Sequence, residues 1–263
     1  MKLSRFSGGA PLMIALALLT GCSSNTARPS MGAVRVSMSD APAEIDAIEL
    51  VITEISIQRS GNDSLSGWEV LRSDSLRIDL LELRNGVFTA VAEEQVPAGG
   101  YHQLRLEIGA GSTIVVDGVT HPLEVPSGAQ SGLKINGDFG VPAGGTLEIG
   151  VDFDAARSIV RTGAGRYQLK PVLRALPRAN TGAISGTLTP SGVAAAVHAL
   201  AGPDTVTSTL AAASGEFVLS LLPVGTYTVA IAPDSGYRDT TRAGVAVAAG
   251  STTSLGTIAL TPQ

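Results

Sequence analysis

The sequence predicts an all-β protein built as two antiparallel β-sandwich domains. Apolar and polar residues alternate over short segments such as Val34 to Met38 and Leu147 to Phe153, and a period of two is that of a half-buried strand. The 263 residues include 31 glycines and 14 prolines but only 4% aromatic side chains, which is typical of many short strands joined by tight turns. From Thr181 onward charged residues become scarce, which indicates a second domain.

The first 21 residues have the order of a cleaved signal peptide. Lys2 and Arg5 form a basic start, and a mostly apolar run from Ala10 to Leu19 follows it. A helix that spans a bilayer needs about 20 apolar residues, so this run is too short for a transmembrane anchor. The run ends in Leu19-Thr20-Gly21-Cys22, which contains the only cysteine of the chain.

This tetrapeptide resembles the lipobox of bacterial lipoproteins. The resemblance implies that the signal peptidase recognises Leu19, Thr20 and Gly21, and that cleavage leaves Cys22 as an N-terminus acylated with diacylglyceryl and palmitate-type chains. An ordinary secretory signal with a chance cysteine is less favoured, because the match holds at every position. Residues 22–30 then form a polar tether, and acyl chains contributing about 0.8 kcal/mol per buried CH₂ anchor it without any protein surface in the bilayer.

The composition of the mature chain narrows the function classes. Removal of residues 1–21 takes away two cations and leaves 242 residues with 16 cationic and 23 acidic side chains. A chain with this net negative charge lacks the excess of basic residues that is typical of nucleic-acid-binding proteins, so no nucleic-acid partner is expected. Inner-membrane lipoproteins of enteric-type bacteria often carry Asp directly after the acylated cysteine, whereas Ser23 occupies that position here. We therefore expect a cell-envelope protein at the outer membrane.

The first domain is predicted over residues 31–176. Its alternation falls out of phase between Ile52 and Ile55, as a β-bulge or a change of the buried face requires. Asp117-Gly118 between two short apolar segments predicts a two-residue hairpin. Only residues 79–85 and 154–160 look capable of a helical turn.

Residues 177–182 are predicted as a linker and residues 183–263 as the second domain. From Thr181 to Gln263 there is no lysine, and the only cations are Arg238 and Arg242. Six short alternating segments in this range predict a compact antiparallel sandwich.

A short turn motif occurs three times, at Val96 to Gly100, Val141 to Gly145 and Leu222 to Thr226. Proline fixes φ and glycine permits a positive φ, so each copy predicts a turn followed by the start of a strand. The spacing is irregular, and we interpret the motif as recurrent turn chemistry rather than as a repeat.

An ordered set of motifs runs through the first domain. They are Ser39-Asp40-Ala41-Pro42, Ile78-Asp79-Leu80-Leu81, Pro97 to Leu106, Pro126-Ser127-Gly128, Gly132-Leu133-Lys134, Val151 to Ala155 and Leu169 to Val172. In this order they resemble the bacterial domain of unknown function numbered forty-three eighty-two, found in extracytoplasmic lipoproteins. The resemblance implies an envelope compartment and a β-rich fold, and it implies no activity. Ser39 departs from the threonine usual in that family but keeps the hydroxyl.

The second domain resembles carboxypeptidase regulatory-like and collagen-adhesin B-type sandwiches. The resemblance lies in Ile184 to Leu188, Ser214 to Phe217 and Leu222 to Val229. It implies a carbohydrate-binding-like fold, which is an analogy of fold and not of function. Adhesin relatives often close an isopeptide bond from a lysine, and this domain has none.

Two carboxylates are the strongest candidates for a chemical site. Asp152 and Asp154 flank Phe153 at strand spacing, so they share one face, as Ca²⁺ binding or acid–base catalysis would need. Asp40 and Asp46 would join them if the first strand of the domain lies beside the strand that carries Asp152 and Asp154. Turn-capping aspartates on a solvated strand face are the favoured alternative, because no calcium-loop spacing is present.

Other residue patterns give little sign of catalysis. His102, His121 and His198 are scattered and fit neither zinc-ligand spacing nor a nucleophile–base pair. We therefore expect no enzyme activity and no cofactor.

Two aromatic residues are candidates for ligand contact, since sugar binding by a β-sandwich relies on exposed rings. Trp68 follows a polar loop, and Tyr237 ends the turn-rich segment that begins at Pro233. Trp68 also begins an alternation with Val70, which favours a core position as the alternative.

The sequence as a whole predicts a lipid-anchored extracytoplasmic binding or scaffolding protein without catalytic activity. Its expected partners are the membrane, through acylated Cys22, and a glycan or an envelope protein. Carbohydrate or cell-wall glycan binding by the C-terminal sandwich is one alternative, and a surface adhesin or accessory subunit of an envelope complex is another. Enzyme activity is kept as a last alternative, and only because Asp152 and Asp154 lie close together in the sequence.

Overall fold

A computed structural model describes most of the chain after the predicted tether. The described residues are 29–41, 45–61, 67–126, 132–234 and 236–263. Most of them are in strands, which confirms the all-β prediction. Residues 19–22, the lipobox of the sequence prediction, lie outside the described residues. Within the described ranges, no helix is long and apolar enough to cross a membrane.

Each domain consists of short strands joined by turns. The strands described between residues 31 and 177 are β1 (Met31–Ala41), β2 (Ala47–Arg59), β3 (Trp68–Arg72), β4 (Leu76–Asp79), β5 (Thr89–Pro97), β6 (Gly99–Ile108), β7 (Thr113–Val116), β8 (Val119–Glu124), β9 (Leu133–Val141), β10 (Thr146–Asp154), β11 (Ile159–Arg161), β12 (Tyr167–Leu169) and β13 (Leu173–Pro177). Those after residue 180 are β14 (Thr181–Thr189), β15 (Ala195–Ala201), β16 (Asp204–Leu210), β17 (Glu216–Pro223), β18 (Gly225–Pro233), β19 (Thr240–Val247) and β20 (Thr252–Ala259). Within the described residues, the helical segments are 3-10 turns at Leu80–Leu83 and Arg178–Asn180 and the α-turn α1 (Ala155–Ser158).

Two sheets face each other in each domain. The first domain pairs a four-stranded sheet, ordered β13-β10-β1-β5, with a larger sheet ordered β11-β12-β8-β7-β2-β6-β9, in which β3 and β4 also pair with β2. The second pairs β17-β14-β20 with β16-β15-β18-β19. Most neighbouring strands are antiparallel, as predicted, but β1 with β10, β12 with β8 and β14 with β20 are parallel. A separate apolar core fills each sandwich.

The two domains share one topology. The first strand of each lies between a parallel and an antiparallel partner, β1 between β10 and β5, and β14 between β20 and β17. In the facing sheets the orders β2-β6-β9 and β15-β18-β19 correspond. The register corresponds as well, because Met31 pairs with Pro97 as Thr181 pairs with Pro223. The first domain differs by its added strands, among them β7, β8, β11, β12 and β13.

The short turn motif described above contains Pro-x-Gly, and we call it the Pro-x-Gly motif. It connects a strand of one sheet to a strand of the facing sheet. In each domain a tyrosine closes this corner: Tyr101 Oη donates to Pro97 O at 2.7 Å, and Tyr227 Oη donates to Pro223 O at 2.8 Å. The copy at Pro142 connects β9 to β10 between the same two sheets. The interpretation as turn chemistry alone was therefore incomplete, since two copies occupy equivalent corners of a repeated topology.

Several local predictions agree with the structure. The predicted bulge is present, because the register of β2 with β6 shifts between Ile52 and Glu54. Asp117 and Gly118 form the β7–β8 hairpin, and both have the positive φ (52° and 72°) of a type I′ turn. The two predicted helical turns are the 3-10 turn at Leu80–Leu83 and α1.

Regular structure continues from one domain into the next. Residues 177–182, predicted as a linker, comprise the end of β13, the 3-10 turn at Arg178–Asn180 and the start of β14. Arg178 lines the same surface cavity as Thr146 and Glu148 at the start of β10. The chain therefore leaves the first domain at the end of the sheet where β1 begins, because Ala33 pairs with Thr146.

Candidate functional site

The predicted carboxylate pair lies beside the first strand. In the parallel register of β1 and β10, Ser39 pairs with Asp152 and Asp40 with Phe153. The first strand therefore does lie beside the pair, but Asp40 shares the inner face of the sheet with Phe153, whereas Asp152 lies on the outer face. Asp46 does not join the pair, because its Oδ2 accepts a hydrogen bond of 2.8 Å from Gly118 N at the β7–β8 hairpin.

Asp152 joins the two domains. Its Oδ2 accepts a 2.9 Å hydrogen bond from Arg174 Nε, and Arg174 Nη2 lies 2.8 Å from the same oxygen. It also accepts a 3.2 Å hydrogen bond from Thr207 Oγ1, which belongs to β16 of the second domain. Both Asp152 and Thr207 are buried. The Asp152 carboxylate therefore binds the guanidinium of Arg174 in its own domain and the hydroxyl of Thr207 in the second domain.

Asp154 caps the N-terminus of the α-turn α1. Its Oδ1 accepts from Arg157 N at 2.9 Å, and its Oδ2 accepts from Arg157 Nε at 2.6 Å. An aspartate at this position satisfies main-chain N–H groups that the first turn leaves without partners. In the described part of the chain, no group of three or more His, Cys, Asp or Glu side chains is arranged to hold a metal ion.

Asp40 is the most perturbed ionisable group of this region. Its side chain is buried, and its Oδ1 accepts a 3.1 Å hydrogen bond from Ala155 N. Burial, with a contribution from the negative charges of Asp152 and Asp154, raises the pKa of Asp40 to about 9, although the hydrogen bond from Ala155 N opposes the change. At neutral pH this carboxyl group is therefore protonated.

The three histidines lie in different parts of the fold. His102 is exposed on β6, and the ring centre of His121 lies 5.1 Å from that of Tyr167. Burial lowers the pKa of His198 on β15, and the nearby charge of Asp154 opposes the shift. The described residues therefore bring no two histidines together around the carboxylates.

The open edge of the second sandwich docks on the first domain. This edge consists of β16 and β17, and it covers the outer face of the four-stranded sheet, where Ser37 and Ser39 are buried. Leu221 packs over Gly150, so closely that a Cβ placed on the glycine would lie 2.4 Å from Leu221 Cδ2. We call this contact region the interdomain junction.

Asn85 supplies the second hydrogen-bonded part of the interdomain junction. Its Oδ1 accepts from Val218 N at 2.6 Å, and its Nδ2 donates to Glu216 O at 3.3 Å, so one side-chain amide pairs with the main chain of β17. Near the junction, Arg178 Cζ lies 4.3 Å from the ring centre of Phe88. Polar groups of both domains thus have partners across the junction.

The two aromatic candidates occupy different environments. Trp68 is half-buried at the start of β3, with Arg105 Cζ 4.4 Å and Lys134 Nζ 6.0 Å from its ring centre. Tyr237 is half-buried against the core of the second domain and forms a β-bridge with Pro262. Trp68 is therefore a sheet-surface residue with cationic neighbours, whereas Tyr237 packs against its own domain.

Comparison with protein families identifies the first domain. Residues 31–171, more than half of the chain, match the profile of the family described as Domain of unknown function (DUF4382). The chain belongs to this family. Residues 183–261 match the carboxypeptidase regulatory-like domain. The DUF4382 family domain thus holds the acidic residues and Trp68, and the regulatory-like domain supplies Thr207 and the edge that docks on it.

Solved structures similar to this DUF4382 protein include two pilins. The Bacillus anthracis TIE protein is 14% identical, with a TM-score of 0.26, over 89% of this chain and 34% of that one, so this chain spans about a third of its length. GBS52, the minor pilin of Streptococcus agalactiae, is 11% identical, with a TM-score of 0.26, over 87% and 96%. The shaft pilin SpaA of Lactobacillus rhamnosus GG is 10% identical, with a TM-score of 0.27, over 89% and 100%. No curated protein matched the chain.

Sequence reasoning did not identify the interdomain junction of this DUF4382 protein. Asn85 and Gly86 have the pattern of an ordinary turn, and nothing nearby in sequence distinguishes a turn asparagine from one that pairs with a strand 131 residues away. Thr207 is one of many threonines in an alternating segment. A signal was present only at Asp152, a candidate for metal binding or catalysis, although a solvated strand face was favoured there and a contact with the second domain was not considered.

Proposed function

We propose that this chain is a non-catalytic, lipid-anchored scaffold of the cell envelope that holds its two sandwich domains in one fixed arrangement. The interdomain junction is the observation that supports this function best. Asp152, which the sequence marks as a candidate for chemistry, is used there as an acceptor for Arg174 and Thr207. Charge-assisted hydrogen bonds of this kind are among the strongest a protein makes.

The docked edge supports the same proposal. Uncovered edge strands present unpaired main-chain groups that recruit other strands. Here β16 and β17 lie against the first domain, and Asn85 pairs with the main chain of β17. Docking therefore removes a reactive edge and fixes the orientation of the second domain in the same step.

A distance measurement tests the fixed arrangement. Val119 and Val224 are exposed at 54% and 62%, one in each domain, and Cys22 is the only natural cysteine, so Val119→Cys and Val224→Cys accept a specific spin-label pair in the acylated protein. We expect one narrow interspin distance distribution. The same labels in a Gly150→Val background, which crowds Leu221, provide the disrupted control and should broaden the distribution. A broad distribution in the otherwise unmodified protein would contradict the scaffold proposal.

The proposed anchor is the acylated Cys22 at the end of the tether. Its support is the lipobox resemblance together with the start of β1 at Met31, which leaves only residues 22–30 between the anchor and the fold. We propose the outer membrane as its location, as Ser23 favours.

Replacement of Cys22 tests the anchor directly. In Cys22→Ser we expect loss of radiolabelled palmitate incorporation, accumulation of the uncleaved precursor, and no recovery of a mature membrane-bound form after detergent phase separation. Each acyl chain supplies about 0.8 kcal/mol per buried CH₂, so its removal abolishes anchoring rather than weakening it slightly. Ser24→Ala, two residues along the tether, serves as the matched control and should be labelled normally. A processed, membrane-bound Cys22→Ser protein would refute the anchor.

A further inference from the structure

A row of polar side chains and one tryptophan crosses the outer face of the large sheet in the first domain. The registers place Trp68 opposite Gln58, Gln58 opposite Gln103, and Gln103 opposite Asn136, across β3, β2, β6 and β9. Arg105 and Lys134 are opposite each other in the adjacent row. We call this surface the tryptophan face, and its members are Gln58, Trp68, Gln103, Arg105, Lys134 and Asn136.

The ring of Trp68 packs against the guanidinium group of Arg105, which is itself held by hydrogen bonds. Arg105 donates from Nε to Ser56 Oγ at 3.0 Å and from Nη2 to Glu54 Oε1 at 2.6 Å, and its Cζ lies 4.4 Å from the indole centre. Glu107 lies 3.5 Å from Arg105 Nη2 and adds a second negative charge. The cation is therefore neutralised in place, and the half-exposed indole is held against the sheet instead of rotating freely.

The amides beside the ring are positioned for hydrogen bonding. Gln103 Nε2 donates to Asn136 Oδ1 at 2.7 Å, which orients both amides, and each retains further donor and acceptor capacity. Asn136 and Lys134 are exposed. A Cβ placed on Gly140, further along the same face of β9, would meet no atom within 4 Å. Among the described residues, none covers Lys134, Asn136 or Gly140, in contrast to the outer face of the four-stranded sheet, which the second domain covers.

We propose that the tryptophan face binds an N-acetylated pyranose glycan. An indole stacks against the C–H face of a sugar ring, and side-chain amides are the natural partners of acetamido groups and hydroxyls. The charge of Arg105 is balanced by Glu54 and Glu107, so the positive charge that the named residues of the face present to a ligand is that of exposed Lys134. A face with this small positive charge suits a neutral glycan or one with few carboxylates. Three strand spacings separate Trp68 from Asn136, roughly 14 Å, so the face accommodates more than one sugar ring. This activity is separate from the scaffold role and lies in the first domain, not in the C-terminal sandwich.

Intrinsic fluorescence tests the proposal on the full acylated chain in detergent. Trp68 is the only tryptophan, so its emission reports stacking on this residue alone. Titration with a β-1,4-linked N-acetylglucosamine hexamer, and in parallel with peptide-free peptidoglycan glycan strands, should shift the emission with saturation. By calorimetry we expect Trp68→Phe and Asn136→Ala each to weaken binding by about tenfold. Asn136 is exposed, so its variant keeps the fold even if replacement of Trp68 does not.

Tyr237→Ala in the second domain is the matched control and should bind as the unmodified protein does. Tighter binding of the glycan strands than of the hexamer would assign the cell wall as the source, and the reverse would assign a free N-acetylated glycan. The proposal is overturned if neither ligand shifts the Trp68 emission, or if Asn136→Ala binds with unchanged affinity. Loss of binding in Tyr237→Ala alone would move the site to the second domain.

Discussion

An Asp40→Asn variant is expected to unfold at a higher temperature than the unmodified protein at pH 8, and to lose most of the difference between its stability at pH 5 and at pH 8. Burial raises the pKa of Asp40 from 3.8 to about 9. In the unfolded chain the same carboxyl group ionises near its ordinary value. Between these two values the folded state holds one more proton than the unfolded state.

The sign of the pH dependence follows from this difference in bound protons. The free energy of unfolding falls as pH rises wherever the folded state binds more protons, so Asp40 contributes a loss of about 1.4 kcal/mol per pH unit between about pH 4 and pH 9. Asparagine keeps an acceptor for Ala155 N and has no ionisable proton. The free energy of unfolding of the variant therefore does not fall with pH through this position.

Thermal unfolding followed by circular dichroism from pH 5 to pH 8 measures the effect. Each kcal/mol corresponds to roughly 2–4 °C in a protein of this size, so the two melting curves should separate by several degrees at pH 8. Asp74→Asn is the control, since the Asp74 side chain is 77% exposed and pairs with Arg72 at the surface. Equal pH slopes for Asp40→Asn and the unmodified protein would show that burial does not govern this carboxyl group.

A Gly150→Val variant is expected to separate the two domains and to lower the free energy of unfolding by about 1–3 kcal/mol, the usual effect of overpacking. The added Cβ would lie 2.4 Å from Leu221 Cδ2 and 3.0 Å from Leu221 Cδ1. Leu221 is buried at the junction, so it cannot move aside without opening the contact between β17 and the four-stranded sheet. Calorimetry should then show two unfolding transitions in place of one.

A second substitution separates this explanation from general strain in β10. Leu221→Ala makes room for the valine, so Gly150→Val should cost little more when it is added to Leu221→Ala. Gly140→Val is the matched control, because Gly140 also lies in a strand and has open space where its Cβ would be. If Gly150→Val costs the same in both backgrounds, the contact with Leu221 is not what the valine disrupts.

Local features of this fold could be predicted from sequence, whereas pairings between distant segments could not. Asp117 and Gly118 adopt the positive φ values that a two-residue hairpin requires, and a carboxylate at Asp154 caps the turn that follows it. The parallel pairing of β1 with β10 joins segments more than 100 residues apart, and no residue pattern in either strand specifies the partner. The common topology of the two domains was hidden for the same reason, since only the Pro-x-Gly corner recurs in sequence.

The candidate site shows the same division. Alternation around Phe153 correctly placed Asp152 and Asp154 on one strand, but their separate partners, Thr207 and Arg157, depend on the docked domain and on a helical turn. Burial of Asp40 depends on the neighbouring strand as well. For Trp68, the alternation with Val70 indicated a core position, and only the register across four strands shows that Arg105 lies against its ring.

The exit of the chain from the first domain limits how far the protein would reach from the anchor proposed at Cys22. β1 begins, and Arg178 leaves, at the same end of the four-stranded sheet, beside Thr146. The second domain therefore begins on the side where the described chain enters β1, and it lies along the first domain instead of extending beyond it. A fully extended tether of residues 22–30 spans at most roughly 30 Å. A protein anchored in this way works close to the membrane surface, within a short radius set by the tether and not by the number of its domains.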